Sequence, residues 1–215
     1  MQLGKIDIAK AQRRTRIINA AEVLVRTTKS TNFSMQKLAE TAGLSLATTY
    51  NLIGSKATVL YILLNRSGDL LSEQTSRVRI SGSPIDQIER STILAVDFFS
   101  QDPGFYRPLM QFLLGVPDPV HRPAFMKRAF DMWIETTRPL GQQFAFPNDI
   151  TPKDLARVLN ITFTGALDLW VHEELDDKQF QAQMSQALWL FLSTLADIDA
   201  VRAGQALSAA RKMLD

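Results

Sequence analysis

The chain has 215 residues, of which 46% are hydrophobic and 21% are charged, a composition typical of a folded globular protein rather than a disordered one. It contains no cysteine, which excludes disulfides, thiolate metal sites and cysteine nucleophiles and suits a reducing compartment. Its longest apolar stretches, 163–171 and 187–196, are far shorter than the roughly 20 residues of a membrane span, and no signal-like apolar segment opens the sequence, so we expect a cytoplasmic protein without a membrane partner.

Positive charge is concentrated near the N-terminus. Residues 1–60 contain nine Lys or Arg against three acids, whereas residues 61–215 contain fifteen against nineteen. Arg13, Arg14 and Arg16 lie close together within the first of these segments. A basic head on an acidic body indicates a polyanionic partner for the head. The alternative, for either half taken by itself, is an ordinary solvated charged face.

The first 60 residues have the pattern of several helices. Apolar residues recur at helical spacing in the first helix, and Ser34, Ser45 and Ser55 are suited to N-cap the three that follow. The predicted segments are Ala9–Val25, Met35–Ala42, Leu46–Ile53 and a longer helix that starts after Ser55.

The second and third of these helices have the spacing of a helix-turn-helix. They are joined at Gly43-Leu44-Ser45, and a glycine there can take a positive φ angle. The helix after the turn carries small or hydroxylated side chains, which suits a helix that enters the major groove of DNA. Two short helices joined at glycine also occur in purely structural hairpins, so the spacing by itself leaves both readings open.

The string FSMQKLAETAGLSLATTYNLIGSKATVL at 33–60 resembles the DNA-binding segment of the tetracycline-repressor (TetR) family of bacterial regulators. With the first helix, the resemblance covers about 45 residues. Thr49, Leu52 and Ile53 depart from the Leu, His and Phe that are usual in the family, which predicts an altered contact pattern for this helix. The matching residues are Leu38-Ala39, Ala42-Gly43-Leu44-Ser45, Thr48, Tyr50 and Gly54-Ser55-Lys56.

The resemblance implies a three-helix helix-turn-helix domain over residues 1–56, joined to a larger helical ligand-binding and dimerisation domain over residues 57–215. It also implies that the hydroxyls of Thr48 and Tyr50 and the ammonium of Lys56 bind phosphates of double-stranded DNA. Asn51 is suited to pair with an adenine edge, and the two leading arginines either reach the flanking backbone or are solvated charges. The predicted DNA-binding residues are Gln36, Ser45, Ala47, Thr48, Tyr50, Asn51, Lys56, Arg13 and Arg14.

Beyond residue 80, a capping side chain precedes a proline four times, which marks helix starts because proline fits the first helical position. No convincing strand pattern appears, so we predict an all-α protein of about nine or ten helices. The capping pairs are Ser83-Pro84, Asp102-Pro103, Asp118-Pro119 and Thr151-Pro152. The predicted helices are 84–101, 104–114, 120–144, 152–174, 177–196 and 200–214.

Two of the late helices are apolar on more than one face. Such a helix is either central in its own domain or shared with a partner, and the resemblance implies a homodimer in which these two helices form a four-helix bundle across a two-fold axis. The predicted dimer-interface residues are Leu159, Phe163, Leu167, Trp170, Phe180, Met184, Leu188, Phe191 and Leu195.

Large aromatic and methionine side chains between residues 84 and 174 are typical of a hydrophobic core. The resemblance implies that they also line a pocket for a small, mostly apolar effector, since such pockets are apolar with a few polar groups. The predicted ligand-binding residues are Phe98, Tyr106, Met110, Phe130, Trp133, Asn160, Phe163 and Thr164.

The overall prediction is a TetR-like repressor that binds a near-palindromic operator as a dimer and is released by a small ligand. We expect no catalytic residue, metal or cofactor. Asp168 and His172 are spaced to share a helix face and ligate a metal, but such a pair is more often a surface contact. Two alternatives stay open, namely a ligand-independent DNA-binding or interaction protein of the same fold and a helical-bundle enzyme.

Overall fold

The computed structural model describes residues 5–78, 82–146, 150–195 and 198–214. Within these ranges the protein is built of α-helices without a β-strand, which confirms the predicted all-α class. None of these helices is long and apolar enough to cross a bilayer. They are α1 (Lys5–Thr28), α2 (Met35–Ala42), α3 (Leu46–Ile53), α4 (Lys56–Val78), α5 (Pro84–Ser100), α6 (Pro103–Gly115), α7 (Arg122–Thr137), α8 (Leu140–Gln143), α9 (Pro152–Val171), α10 (Asp177–Leu192) and α11 (Ala200–Leu214).

Side chains cap α2, α3, α5 and α9 at the positions that the sequence predicts. Ser34 Oγ and Ser45 Oγ each accept the backbone N–H three residues later, at 3.1 Å. Reciprocal capping boxes open α5 at Ser83 and α9 at Thr151, and a third, which the sequence analysis missed, opens α10 at Asp176. These bonds satisfy backbone donors that a helix leaves free at its N-terminus.

The helix predicted over 120–144 is wrong at its start and is divided near its end. Asp118 Oδ1 accepts two backbone N–H groups at 2.9 and 2.7 Å, which holds a turn and delays the start of α7 to Arg122. Pro139 has no N–H to donate to the helix ladder, and it separates α7 from the short α8. Eleven helices therefore lie in the described ranges rather than nine or ten.

The chain divides into two compact units. The first comprises residues 1–68, as far as they are described, and 103–122, so α6 belongs with the N-terminal helices. The second comprises residues 69–102 and 123–215 within the described ranges, and α4 contributes to both units. The predicted boundary after residue 56 separates a DNA-binding domain from a ligand-binding and dimerisation domain. The two compact units do not test this division by function, which stays a prediction.

Each unit has its own apolar core. In the first unit, α1 packs on α2, α3 and α6, and Ile17, Leu38 and Leu60 are fully buried. In the second unit, α10 packs on α5, α9 and α11, and the rings of Trp170 and Phe180 are fully buried. Burial of such side chains supplies most of the free energy that holds the helices together.

A polar cluster ties α11 to α5 and α10 within the second unit. Arg202 Nη2 donates to Asp86 at 2.8 Å and to Glu89 at 2.6 Å, and its guanidinium lies 5.2 Å from the ring centroid of Trp189. The indole N–H of Trp189 also donates to Glu89, at 3.0 Å. Hydrogen bonds from Ser83, and then from Arg202, lower the pKa of the Asp86 carboxyl below its usual range.

We expect Arg202→Met to lower the free energy of unfolding by about 1 kcal/mol, a value kept small because the ion pairs are partly exposed to solvent. Because the pKa of Asp86 is lower in the folded protein, its stabilising contribution is present above the unfolded pKa of about 3.9 and is lost as the pH falls through the folded pKa. The difference between the two proteins, measured by urea unfolding, is therefore expected to shrink between about pH 6 and about pH 3.

Arg211→Met is the control, because Arg211 is exposed on the same helix. An equal loss of stability in this control, or a difference between wild type and Arg202→Met that stays constant with pH, would contradict the role given to the cluster.

Candidate nucleic-acid interface

The turn between α2 and α3 is a tight cap in the left-handed region. Gly43 has φ 63° and ψ 42°, which glycine adopts without a clash from Cβ. The N–H groups of Gly43 and Leu44 donate to Glu40 O at 3.0 Å and to Ala39 O at 2.9 Å. The chain thus leaves α2 at once and enters α3 after Ser45, as the helix-turn-helix spacing predicts.

Arg16 holds this turn from α1. Its Nη2 donates to Ala42 O at 2.6 Å and to Gly43 O at 3.0 Å, the carbonyls at the C-terminal end of α2, where a positive charge is favoured. A Cβ on Gly43 would lie 2.9 Å from the same nitrogen, so the guanidinium and the glycine are matched. In the sequence, Arg16 is one of several N-terminal charges, and this role is not predicted because a partner 26 residues away leaves no local pattern.

The outer face of α3 carries short or polar side chains together with Leu46, which is 41% exposed. Tyr50 exposes 49% of its surface, while Thr49 and Ile53 face the core. Thr49 is fully buried, and its hydroxyl donates to Ser45 O at 3.0 Å, so a threonine fits where the resemblance gives leucine. Of the predicted contact residues, those exposed at this end of the unit are Gln36, Ser45, Ala47, Tyr50 and Asn51, and Thr48 is half-buried.

The hydroxyls of Ser45 and Thr48 form a pair at the start of α3. Ser45 Oγ accepts the Thr48 N–H at 3.1 Å and lies 2.8 Å from Thr48 Oγ1. One hydroxyl proton lies between the two oxygens, because each hydroxyl has a single proton. The other hydroxyl proton can be donated to an oxygen outside the protein, as a phosphate contact requires.

The remaining predicted DNA-binding residues have different surroundings. Lys56 is half-buried. Its Nζ donates to Thr31 O at 3.1 Å and lies 5.7 Å from the ring centroid of Phe33. Arg13 and Arg14 are exposed on α1. Gln36 donates to Glu40 on its own helix at 3.3 Å, so its amide has a partner within the chain. None of these placements tests a contact with DNA.

The residues predicted to bind a ligand fall in both compact units. Tyr106 and Met110 are buried in the first unit, and the other six belong to the second. Within the second unit, the ring of Phe163 lies 5.8 Å from that of Trp133, centroid to centroid. Thr164 Oγ1 donates to Asn160 O at 2.8 Å, so this hydroxyl is bonded to its own helix. The ligand site stays a prediction.

The predicted dimer-interface residues stay a prediction, and most of them are buried within one chain. Phe163 and Phe191 are half-buried, but the other seven lie within the core of the second unit, because α9 and α10 turn these side chains toward each other and toward α5 and α11. A side chain without exposed surface has none to bury against a second chain. The seven are Leu159, Leu167, Trp170, Phe180, Met184, Leu188 and Leu195.

Other apolar residues occupy the outer surface of the same two helices. Val158, Ile161 and Leu169 are exposed on α9, Ile161 by 64%, and Leu190 is exposed on α10. Gly165 lies between them in the α9 sequence, and a Cβ placed there would meet no atom within 4 Å. Helical spacing puts these α9 residues on one stripe. Periodicity did not distinguish this stripe from the core stripe, because both are apolar.

The spacing of Asp168 and His172 produces a surface contact. His172 Nδ1 lies 2.8 Å from Asp168 O and 3.6 Å from the carboxylate, and both side chains are about half exposed. Among the described residues, no group of three or more His, Cys, Asp or Glu is arranged to hold a metal ion.

No family model and no curated protein sequence matches this chain. Solved structures of similar fold include the TetR-family repressor FadR of Thermus thermophilus, in complex with lauroyl-CoA, at 22% identity and a TM-score of 0.70, covering 87% of this chain and 97% of that one. SmeT, the repressor of a Stenotrophomonas maltophilia multidrug efflux pump, has 21% identity and a TM-score of 0.67, covering 87% and 92%. A TetR-family regulator from Syntrophomonas wolfei has 16% identity and a TM-score of 0.70, covering 87% and 99%.

These similar structures are of transcription regulators rather than enzymes. At such identities the similarity establishes the fold, and it extends over nearly the whole of each compared chain. The sequence pattern predicts the same two parts, an N-terminal helix-turn-helix and a larger helical domain after it. The chain has the fold of the TetR-family transcriptional regulators.

Proposed function

We propose that this protein is a TetR-like transcriptional repressor that binds a near-palindromic DNA operator as a homodimer and is released from it by a small, mostly apolar ligand. The observation that carries the proposal is the exposed face of α3, which carries Ala47, Tyr50 and Asn51 and is held by a turn that Arg16 bonds. Such a helix fits a major groove about 12 Å wide. We infer a cytoplasmic protein without enzymatic activity.

The chemistry of α3 supports a division of labour in DNA recognition. Asn51 carries both a donor and an acceptor and can pair with adenine, while the methyl of Ala47 can contact a thymine methyl. Tyr50 and Thr48 carry hydroxyls suited to phosphate oxygens. Lys56 has three N–H donors, so a bond to Thr31 O leaves donors for a phosphate at the N-terminus of α4.

The exposed stripe on α9 supports pairing with a second copy of the chain. A single recognition helix reads too few bases for a unique site, and a dimer of such heads reads two half-sites. Val158, Ile161, Leu169 and Leu190 offer apolar surface on α9 and α10, and Gly165 leaves room for a close approach. We therefore place the dimer contact on this stripe rather than on the side chains first predicted.

An aromatic cluster in the second unit supports the release of the protein by an apolar effector. The ring centroid of Phe163 lies 5.4 to 5.8 Å from three other ring centroids, those of Phe99, Trp133 and Phe180. Apolar rings of this kind suit an apolar ligand, and one repressor of similar fold was solved with lauroyl-CoA. A ligand-independent DNA-binding protein of the same fold is the alternative.

The direct test is selection of bound duplexes from a random pool by the full-length protein, followed by a screen for small molecules that release the selected duplex. We expect a near-palindromic consensus and at least one apolar compound that lowers the affinity. A consensus without any releasing compound favours the ligand-independent alternative. Failure to enrich any sequence, or to bind DNA at low salt, would refute the DNA-binding function.

Substitutions on and next to α3 are expected to separate base reading from phosphate binding. Asn51→Ala should change which base is preferred at one position of each half-site, at a cost of about 1–3 kcal/mol on the selected duplex. Tyr50→Phe and Lys56→Ala should weaken binding to every sequence about equally, and Lys56→Ala should also reduce the salt dependence. Titrations of the selected and base-changed duplexes at several salt concentrations measure both effects. An unchanged salt slope in Lys56→Ala would remove its phosphate role.

Arg16→Met is expected to lower operator affinity roughly tenfold with an unchanged salt slope, since Arg16 positions α3 by bonding the turn and does not contact phosphate. Arg13→Met is the matched comparison, because Arg13 is exposed on the same helix. If Arg13 contacts the flanking backbone, its loss reduces the salt slope. A reduced slope in Arg16→Met would identify Arg16 as a phosphate ligand instead.

Ile161→Glu is expected to convert the dimer to a monomer at micromolar concentration, because it places a charge at the centre of the exposed stripe. Sedimentation measures the mass, and circular dichroism checks that the helices persist. Val201→Glu, at a residue exposed on α11, is the control and should leave the dimer intact. A wild-type protein that is itself monomeric would overturn the proposed assembly.

A further inference from the structure

We propose that His121 is a positioning residue for the N-terminus of α4. Protonation of its ring reverses the direction of the hydrogen bonds that join His121, Thr58 and Ser55, so that the Ser55 hydroxyl can donate to a DNA phosphate. The inference rests on the proposed DNA-binding function and concerns its regulation by pH. All residues involved belong to the first compact unit.

The turn that follows α6 lies against the first turns of α4. The His121 ring stacks on Tyr61, with centroids 5.1 Å apart and planes 16° from parallel. Phe105, at the other end of α6, lies with its ring centroid 4.1 Å from the Arg26 guanidinium on α1. The segment that carries His121 is therefore packed against two helices of the N-terminal unit.

Asp118 fixes both the position and the tautomer of His121. Its Oδ1 accepts the backbone N–H of His121 at 2.7 Å, and its Oδ2 lies 3.0 Å from His121 Nδ1. A carboxylate only accepts hydrogen bonds, so Nδ1 carries a proton whether or not the ring is charged. Protonation of the ring consequently changes Nε2 alone, from an acceptor to a donor.

Nε2 faces the hydroxyls that open α4. It lies 3.5 Å from Thr58 Oγ1, and Thr58 Oγ1 lies 3.1 Å from Ser55 Oγ. Ser55 Oγ also accepts the Thr58 N–H at 3.2 Å, so Ser55 is the N-cap of α4. Each hydroxyl has one proton, so the direction of each bond in the chain depends on the next.

The two charge states of His121 give opposite directions to this chain. With a neutral ring, Thr58 donates to Nε2 and Ser55 donates to Thr58, which leaves Ser55 no proton for an outside acceptor. With a charged ring, Nε2 donates to Thr58, which frees the Thr58 proton to be donated to Ser55. The Ser55 proton can then be donated to an acceptor outside the protein. A charged donor also makes shorter and stronger bonds than a neutral one, which favours closing the 3.5 Å separation.

Ser55 is exposed beside Lys56, at the helix N-terminus where we propose a phosphate contact. A new donor there, together with an added positive charge on the neighbouring His121 ring, strengthens the binding of an anion. DNA affinity is therefore expected to rise as His121 gains a proton.

Other charged or titratable groups near the ring do not oppose this switch. Hydrogen bonds from His121, first from its backbone N–H, lower the pKa of the Asp118 carboxyl, so Asp118 stays ionised where histidine titrates. Burial, and then the Asp118 charge, raises the pKa of Tyr61, so the phenol stays neutral. Arg122 Nε donates to Leu113 O at 3.2 Å.

The test compares the affinity for the selected duplex at about pH 8 and about pH 5.5, which bracket the pKa of an ordinary histidine, at constant ionic strength. Wild type is expected to bind about fivefold more tightly per subunit at the lower pH. His121→Gln should lose this gain. His172→Gln, which removes the one other histidine of the sequence, should keep it.

Thr58 variants separate the hydroxyl chain from the mere charge of the ring. Thr58→Val should abolish the gain while Thr58→Ser keeps it, and thermal unfolding at both pH values verifies that each variant is folded. A full gain in Thr58→Val or in His121→Gln would overturn the proposal. Binding without any His121-linked gain refutes this inference alone, whereas an absence of DNA binding at both pH values refutes the proposed function.

Discussion

The guanidinium of Arg16 against the end of α2 helps to fix the orientation of α3, together with the packing of α1 on α2 and α3. Two carbonyls that α2 cannot bond internally lie 2.6 and 3.0 Å from one arginine nitrogen. The approach is possible because Gly43 has no Cβ, and φ of 63° suits glycine. Arginine and glycine therefore meet across 26 to 27 residues, and together they hold the turn that leads into α3.

The same hydroxyl motif opens both helices next to the proposed DNA surface. Ser45 and Thr48 begin α3, and Ser55 and Thr58 begin α4, each pair with its oxygens 2.8 to 3.1 Å apart. In each pair the serine caps the helix by accepting the threonine N–H. Only the second pair continues to a titratable group among the bonds described for it, because the turn after α6 brings His121 to Thr58. The two serine–threonine pairs therefore differ in whether protonation of a neighbouring side chain can change the direction of their hydrogen bonds.

Most of the helices follow from local chemistry in the sequence. Serine or threonine before a periodic segment predicts the starts of α2, α3, α5 and α9, and proline fixes φ at the first position of two of them. The exceptions also have local causes, since Asp118 bonds the turn before α7 and Pro139 interrupts the helix after it. What the sequence does not predict are contacts between distant residues, such as Arg16 with the α2–α3 turn and Arg202 with Glu89.

Which side of a helix is buried is the feature that the sequence predicts least well. α9 has apolar residues all round, so its periodicity does not tell Trp170, which is buried, from Ile161, which is exposed. In the structure, the packing of α9 on α10, and of α10 on α5 and α11, determines which apolar residues of α9 are buried. The core of the second unit is consequently filled by its own helices. A partner chain on the Ile161 stripe would add buried apolar area to a completed core, so dimerisation can strengthen the fold without being required to form it.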